Sequence, residues 1–231
     1  MMWQYTSEGK IEGITENTAD FNALYDWYEK PDGWQIIGNK KYYYSNGILK
    51  YGWFLEEKDW YYLKPNGQMA TGWLYVNNTW YYLDNKGILQ TGWLSLNGNW
   101  YYLNSGGAMV KGWLKVNNAW YLFDNNGVMQ TGWSMVGNKW YYLNEYGVMQ
   151  TGWLRLNNYW YYLNQNGQMA TGWLKLGNVW YYLNDNGIMH TGWLWLNGSW
   201  YYLNQNGAMQ TGWLKLGNIW YYLNEGGVWV K

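Results

Sequence analysis

Trp173 and Trp180 stand seven residues apart, and the same pairing recurs at Trp53 and Trp60, Trp113 and Trp120, and Trp153 and Trp160, always in steps of twenty. Tryptophan pairs at such a fixed spacing suggest one kind of chemistry in particular. An indole face is electron-rich, so two of them with a further aromatic ring form a box that attracts a cation through the ring quadrupole. A quaternary ammonium suits such a box because it has no N–H to satisfy. Each ring contributes about 0.5–2 kcal/mol, so one box is weak, and repetition supplies avidity by raising the effective concentration at the next site. Two other readings stay open: indoles that are only mortar between packed repeats, and a platform on which sugar rings stack. Mortar would accept Phe as readily, yet the chain has 23 Trp and 27 Tyr against 3 Phe. A sugar platform needs Asp, Arg and Asn recurring beside the rings to meet hydroxyls. The position between the two Trp holds Ser95, Lys115, Met135, Arg155, Lys175 and Trp195 instead.

The elements that position these rings follow from the period. Gly-Trp pairs recur at Trp53, Trp73, Trp93, Trp113, Trp133, Trp153, Trp173, Trp193 and Trp213, with a shorter first unit at Trp34, which makes ten units with atypical ends. Twenty residues are too few for a propeller blade or a helical-pair repeat, but they accommodate one hairpin and a connection. In the unit at Trp73, two β-rich runs flank Asn77-Asn78, residues that tolerate the positive φ of a tight primed turn. Pairing Val76 with Thr79 sets Tyr75 opposite Trp80, Leu74 opposite Tyr81 and Trp73 opposite Tyr82. Because side chains alternate along a strand, one face carries Leu74, Val76, Tyr81 and Leu83 as core, and the other carries Trp73, Tyr75, Trp80 and Tyr82. A lone hairpin is marginal in water, so the units must stack. The expected fold is all-β, a solenoid of stacked hairpins stabilised by nearest-neighbour contacts. Asn-x-x-Gly segments such as Asn184 to Gly187 supply the turns between hairpins. Ser134 interrupts the core face, and the turn between Phe54 and Asp59 is unusually charged.

Composition excludes several classes. Lys plus Arg equals Asp plus Glu at 15 each, so neither nucleic acid nor an anionic membrane finds a basic footprint. Single strands also stack on aromatics but require a basic groove. No apolar run approaches the roughly 20 residues of a transmembrane span, and residues 1–20 lack a secretory signal pattern. With no Cys and one His, His190, thiolate chemistry is excluded and an ordinary zinc site nearly so. No cofactor is implied. His190 stands where other units carry Gln or Ala and reads as a surface residue.

The units TGWLKLGNVWYYLNDNGIM and TGWLSLNGNWYYLNSGGAM resemble the choline-binding repeats of cell-wall-binding proteins from Gram-positive bacteria and their phages, over residues 32–231. The resemblance implies a left-handed superhelix with choline sites between successive units, each lined by the two Trp of one unit, a Tyr of the next and often the Met of the connection. Carried onto this chain, the expected sets are Trp53, Trp60, Met69 and Tyr82; Trp113, Trp120, Met129 and Tyr142; Trp133, Trp140, Met149 and Tyr162. They continue with Trp153, Trp160, Met169 and Tyr182; Trp173, Trp180, Met189 and Tyr202; and Trp193, Trp200, Met209 and Tyr222. Trp73, Trp80 and Tyr102 form a set with Leu89 at the Met position. Trp93, Trp100 and Met109 form a weaker one, because Leu122 replaces the Tyr. Lys41 replaces the second Trp of the first unit, so no site is expected at Trp34. Trp213 and Trp220 have no successor, and Trp229 at the Met position is expected to act as a lid or a dimer contact.

Residues 1–31 do not obey the repeat. WQYTS, with the Gly13 to Asn17 run and Asp20-Phe21-Asn22 after it, resembles the C-terminal end of a glycoside hydrolase family 25 lysozyme. Glycosidic chemistry needs a positioned carboxyl pair, which Asp20 alone cannot supply, so the chain itself is expected to be non-catalytic. The resemblances together imply the wall-binding part of an endolysin or autolysin. It would be a truncated piece or an internal-start product beginning at Met1-Met2, acting on choline-decorated teichoic acid at the outer side of the bacterial wall. Association with a second copy or with a full-length lysin is left open. The rival class is a glucan- or peptidoglycan-binding repeat module.

Overall fold

The computed structural model describes residues 31–230. The stretch that resembles a lysozyme terminus lies outside the described residues. The fold is all-β, a solenoid of repeated two- and three-stranded hairpins, as the twenty-residue period requires. The described residues contain no helix long and apolar enough to cross a membrane and no group of side chains that could hold a metal ion. They form two compact units: one holds the described residues up to Thr91 with Ser105–Ala108, and the other holds Gly92–Asn104 and the described residues from Met109 onward.

Strand pairing follows the expected register. Gly72–Val76 pairs antiparallel with Thr79–Leu83, placing Trp73 opposite Tyr82, Leu74 opposite Tyr81 and Tyr75 opposite Trp80. The second unit repeats this, for example in Gly172–Leu176 with Val179–Leu183, and the pairing runs through Ser134 unbroken. The turns take the expected positive φ, at 49° for Asn77 and 60° for Asn78. Glu57 does the same at 55°, although its side chain gains nothing there and the left-handed region costs an L-residue about 1–2 kcal/mol. Glu57→Asn should therefore stabilise the first unit by about 0.5–1 kcal/mol, read as a higher denaturant midpoint at unchanged slope.

The core is narrower than the alternation alone suggests. From the hairpin 52–63 onward, full burial falls on one residue per hairpin, Leu63 and Leu83 in the first unit and Leu103, Phe123, Leu143, Leu163, Leu183, Leu203 and Leu223 in the second, while Leu174, Leu176 and Tyr181 are only half-buried. Each of these Leu sits opposite the Gly that precedes Trp, as Leu183 does opposite Gly172. It is also bridged to the residue at the Met position, as Leu183 is to Met189.

The turn after most hairpins is built by one Asn or Asp side chain; after the hairpin 52–63 Lys64 holds that position. Asn184 Oδ1 accepts from the backbone N–H of Asn186 and of Ile188, both at 3.0 Å, while Gly187 N–H returns to the Asn184 carbonyl at 2.8 Å. This is the Asx geometry that makes Asn or Asp the fitting residue. Gly187 adopts φ 76°, and a Cβ there would collide with the Met169 thioether of the preceding connection. Methionine and glycine are thus matched parts of one contact, because the methionine fills the space that a side chain in place of the glycine would need.

Candidate ligand-binding boxes

From Trp73 and Trp80 onward, the two tryptophans of a hairpin meet edge to face. In the second unit their centroids are 6.2 to 6.4 Å apart at 84–90°: Trp93 with Trp100, Trp113 with Trp120, Trp133 with Trp140, Trp153 with Trp160, Trp173 with Trp180, and Trp193 with Trp200. Trp73 and Trp80 of the first unit do the same at 6.2 Å. Trp113, Trp133, Trp153, Trp173 and Trp193 are half-buried, whereas Trp180 is 38% exposed and Trp93, at 37%, is as open as it. In those five hairpins one wall is the more buried and the other the more open to solvent.

The rings that close these corners differ from the expected sets. Hairpins stack face to back, so the Trp face of one lies on the Leu-Tyr face of the next. The tyrosine that reaches Trp153 from the following hairpin is Tyr181, at 4.9 Å, rather than Tyr182. Tyr121 reaches Trp93 at 4.8 Å, Tyr141 reaches Trp113 at 4.9 Å, Tyr161 reaches Trp133 at 5.1 Å, Tyr201 reaches Trp173 at 5.0 Å and Tyr221 reaches Trp193 at 4.9 Å. In the first unit Tyr81 reaches Trp53 at 4.9 Å. The expected tyrosines brace the tryptophan of their own hairpin instead. Tyr82 meets Trp73, Tyr142 meets Trp133, Tyr162 meets Trp153, Tyr182 meets Trp173, Tyr202 meets Trp193 and Tyr222 meets Trp213, at 5.1 to 5.3 Å. Tyr102, from the second unit, meets Trp93 at 5.2 Å.

The methionines shift by one unit as well. Met189 donates its backbone N–H to the Trp160 carbonyl at 2.8 Å, and Met129, Met149, Met169 and Met209 do the same to Trp100, Trp120, Trp140 and Trp180. Each therefore stands at the box of the preceding hairpin. Met109 is bridged to Leu103 and abuts Gly127. In the first unit Leu89 bonds the Trp60 carbonyl at 2.8 Å, and Met69 bonds that of Lys41. An open cleft of about 620 Å³ there is lined by Trp53, Trp60, Tyr81 and Leu89, and also by Lys58, Asp59 and Ser105. The sets brought together in the second unit are accordingly Trp93, Trp100, Tyr121 and Met129, and the equivalent four at each step through Trp173.

Leu122 is buried in the core, and Tyr121 of the same hairpin meets Trp93. Trp229 lies 6.0 Å from Trp193 and 5.9 Å from Tyr221. His190 is partly buried, its Nε2 3.0 Å from the Trp193 carbonyl. At the first hairpin, Trp34 is enclosed by Tyr43, Phe54 and Tyr61 at 5.0 to 5.6 Å and donates its indole N–H to Glu56. This provides a role for part of the charged turn. Burial, followed by the Glu56 charge and hydrogen bond, raises the Tyr43 phenol above its ordinary pKa. The neighbouring Tyr61 is raised by burial and then by Asp59.

This geometry is that of a repeat-built array of aromatic corners, and comparison with known proteins gives it a family. The model of the choline-binding repeat matches residues 52–87, 90–129, 112–150, 150–190 and 190–231, so the chain belongs to the choline-binding repeat family. Its structure is similar to that of CbpJ from Streptococcus pneumoniae TIGR4, at 36% identity and TM-score 0.71 over 87% of this chain and 88% of that one. It is also similar to choline binding protein F from the same species in the presence of a peptidoglycan analogue, a tetrasaccharide-pentapeptide, at 34% identity and TM-score 0.67 over 86% of each chain. The pneumococcal modular autolysin LytC shares the fold at 24% identity and TM-score 0.50; 86% of this chain aligns with 52% of that one. No match was found among curated proteins.

Proposed function

We propose that this chain is a wall-binding module whose aromatic boxes hold choline groups displayed on cell-wall polymers such as teichoic acid, on the outer side of a bacterial envelope. The observation that carries the reading is the perpendicular Trp pair, repeated at 6.2 to 6.4 Å with its outer ring exposed and a tyrosine from the next hairpin behind it. Three ring faces around one space suit a methylated ammonium, which gains from every face and needs no hydrogen-bond partner. The module serves to hold an attached activity, such as a lysozyme-type hydrolase, at its substrate; the lysozyme-like stretch at residues 2–22 motivates that part.

Titration of the full chain with choline chloride tests the ligand. Tryptophan fluorescence and the unfolding temperature should both shift at millimolar choline, tetramethylammonium should reproduce the shifts, and lithium chloride should not. Bound ligand stabilises by mass action, so the unfolding temperature should keep rising as choline exceeds its dissociation constant. A response to dextran or peptidoglycan fragments but not to choline would instead establish the sugar-binding reading.

A further inference from the structure

The boxes of the second unit are not equivalent, and two independent departures fall on the same one. The position facing the second Trp across the hairpin carries a cation in several repeats. The Arg155 guanidinium lies 5.9 Å from the centroid of Trp160, the Lys175 ammonium 5.6 Å from that of Trp180, and Lys215 5.6 Å from that of Trp220. Each of these rings already spends its quadrupole on a charge of the protein, and that charge repels an arriving ammonium. In the hairpin 192–203 the same position is Trp195, whose ring lies 5.2 Å from Trp200 at 50°. Trp200 is thus backed by a second electron-rich ring.

The other departure is at the Met position. Boxes beginning at Trp93, Trp113, Trp133, Trp153 and Trp173 receive Met129, Met149, Met169, Met189 and Met209. The box at Trp193 receives Trp229, held on the short strand Trp229–Val230, which pairs with Ile219–Leu223. Its ring stands at 62° to Trp193 and 65° to Tyr221. Trp193, Trp200, Tyr221 and Trp229 therefore supply four aromatic walls, and Trp195 lies against the outermost.

We infer that this box is the dominant quaternary-ammonium site of the second unit, and that Trp229 and Trp195 set its affinity. The inference rests on the proposed function above but goes beyond it, because equal boxes would satisfy that reading equally well. One added ring face, together with the absence of a protein cation behind Trp200, should tighten the site by about fivefold to tenfold over the boxes at Trp160 and Trp180.

The test follows the indole N–H resonances of the ¹⁵N-labelled full chain during a choline titration, with Trp160, Trp180 and Trp200 assigned by the peak each Trp→Phe variant loses. The Trp200 resonance should saturate first, at a choline concentration about fivefold to tenfold below that for Trp160 and Trp180. Trp229→Met, which installs the residue of the other boxes, should bring Trp200 into line with them. Trp195→Lys alters an exposed side chain and should loosen the same site about threefold without changing the unfolding temperature of the free protein. The inference is overturned if Trp200 titrates with or after the others in the native chain, or if Trp229→Met tightens it, which would show Trp229 to be a plug. Indole resonances that ignore choline everywhere would remove the proposed function, and this inference with it.

Discussion

Alanine at Gly167 should cost the second unit about 2–4 kcal/mol, one of the largest single losses available to this fold. The residue sits at φ 78°, where an L side chain is strained, and an added Cβ would run into the Met149 thioether and its flanking carbons. Neither penalty relaxes easily. The turn is pinned by the Asn164 carbonyl, which accepts from Gly167 N–H at 2.8 Å, and Met149 is held by its own N–H on the Trp120 carbonyl at 2.8 Å. Chemical denaturation of Gly167→Ala should show the loss directly. The double variant with Met149→Ala should recover only the part due to collision, leaving the φ penalty. Full recovery in the double variant would mean that backbone strain plays no part.

Tyr181→Ala should weaken choline binding at the corner of Trp153 and Trp160 by about threefold to thirtyfold, the worth of one ring. Tyr181 is the closing wall there, 4.9 Å from Trp153. Tyr182→Ala should leave that corner nearly unchanged and act one step further on, because Tyr182 braces Trp173 at 5.3 Å. The two variants differ by one residue in sequence yet strike different boxes. Resonances of Trp160 and Trp180 read them separately, and an equal effect of Tyr182→Ala at Trp160 would restore the set expected from the family resemblance.

Much of this architecture is legible in the repeat itself. The hairpin register follows from Asn77-Asn78, and the two faces follow from alternation, because both are local properties of ten or twelve residues. What alternation does not contain is which face of one hairpin meets which face of the next. The expected sets took the closing tyrosine from the face that carries the tryptophans, whereas units related by a repeated step must pack front to back. A signal for this was present. The position of Tyr181 is Tyr in every hairpin from Tyr61 to Tyr221, while that of Tyr182 becomes Leu122 in one. A wall of the site tolerates less change than a brace. The methionine shift was less accessible, since it depends on a backbone bond from Met189 to Trp160 across 29 residues. The narrow core has a similar origin, for only the stacked structure shows that the residue opposite Gly172 is the one sealed from water.

The face-to-back order also makes the array directional. Every box borrows its third and fourth walls from downstream, so the hairpin 212–223 gives Tyr221 to the box behind it and keeps Trp213 and Trp220 at 70% and 58% exposure. A twenty-residue unit spliced between two hairpins would take its third and fourth walls from the units after it and lend its own tyrosine to the unit before it. Lengthening by duplication should thus add one corner per copy.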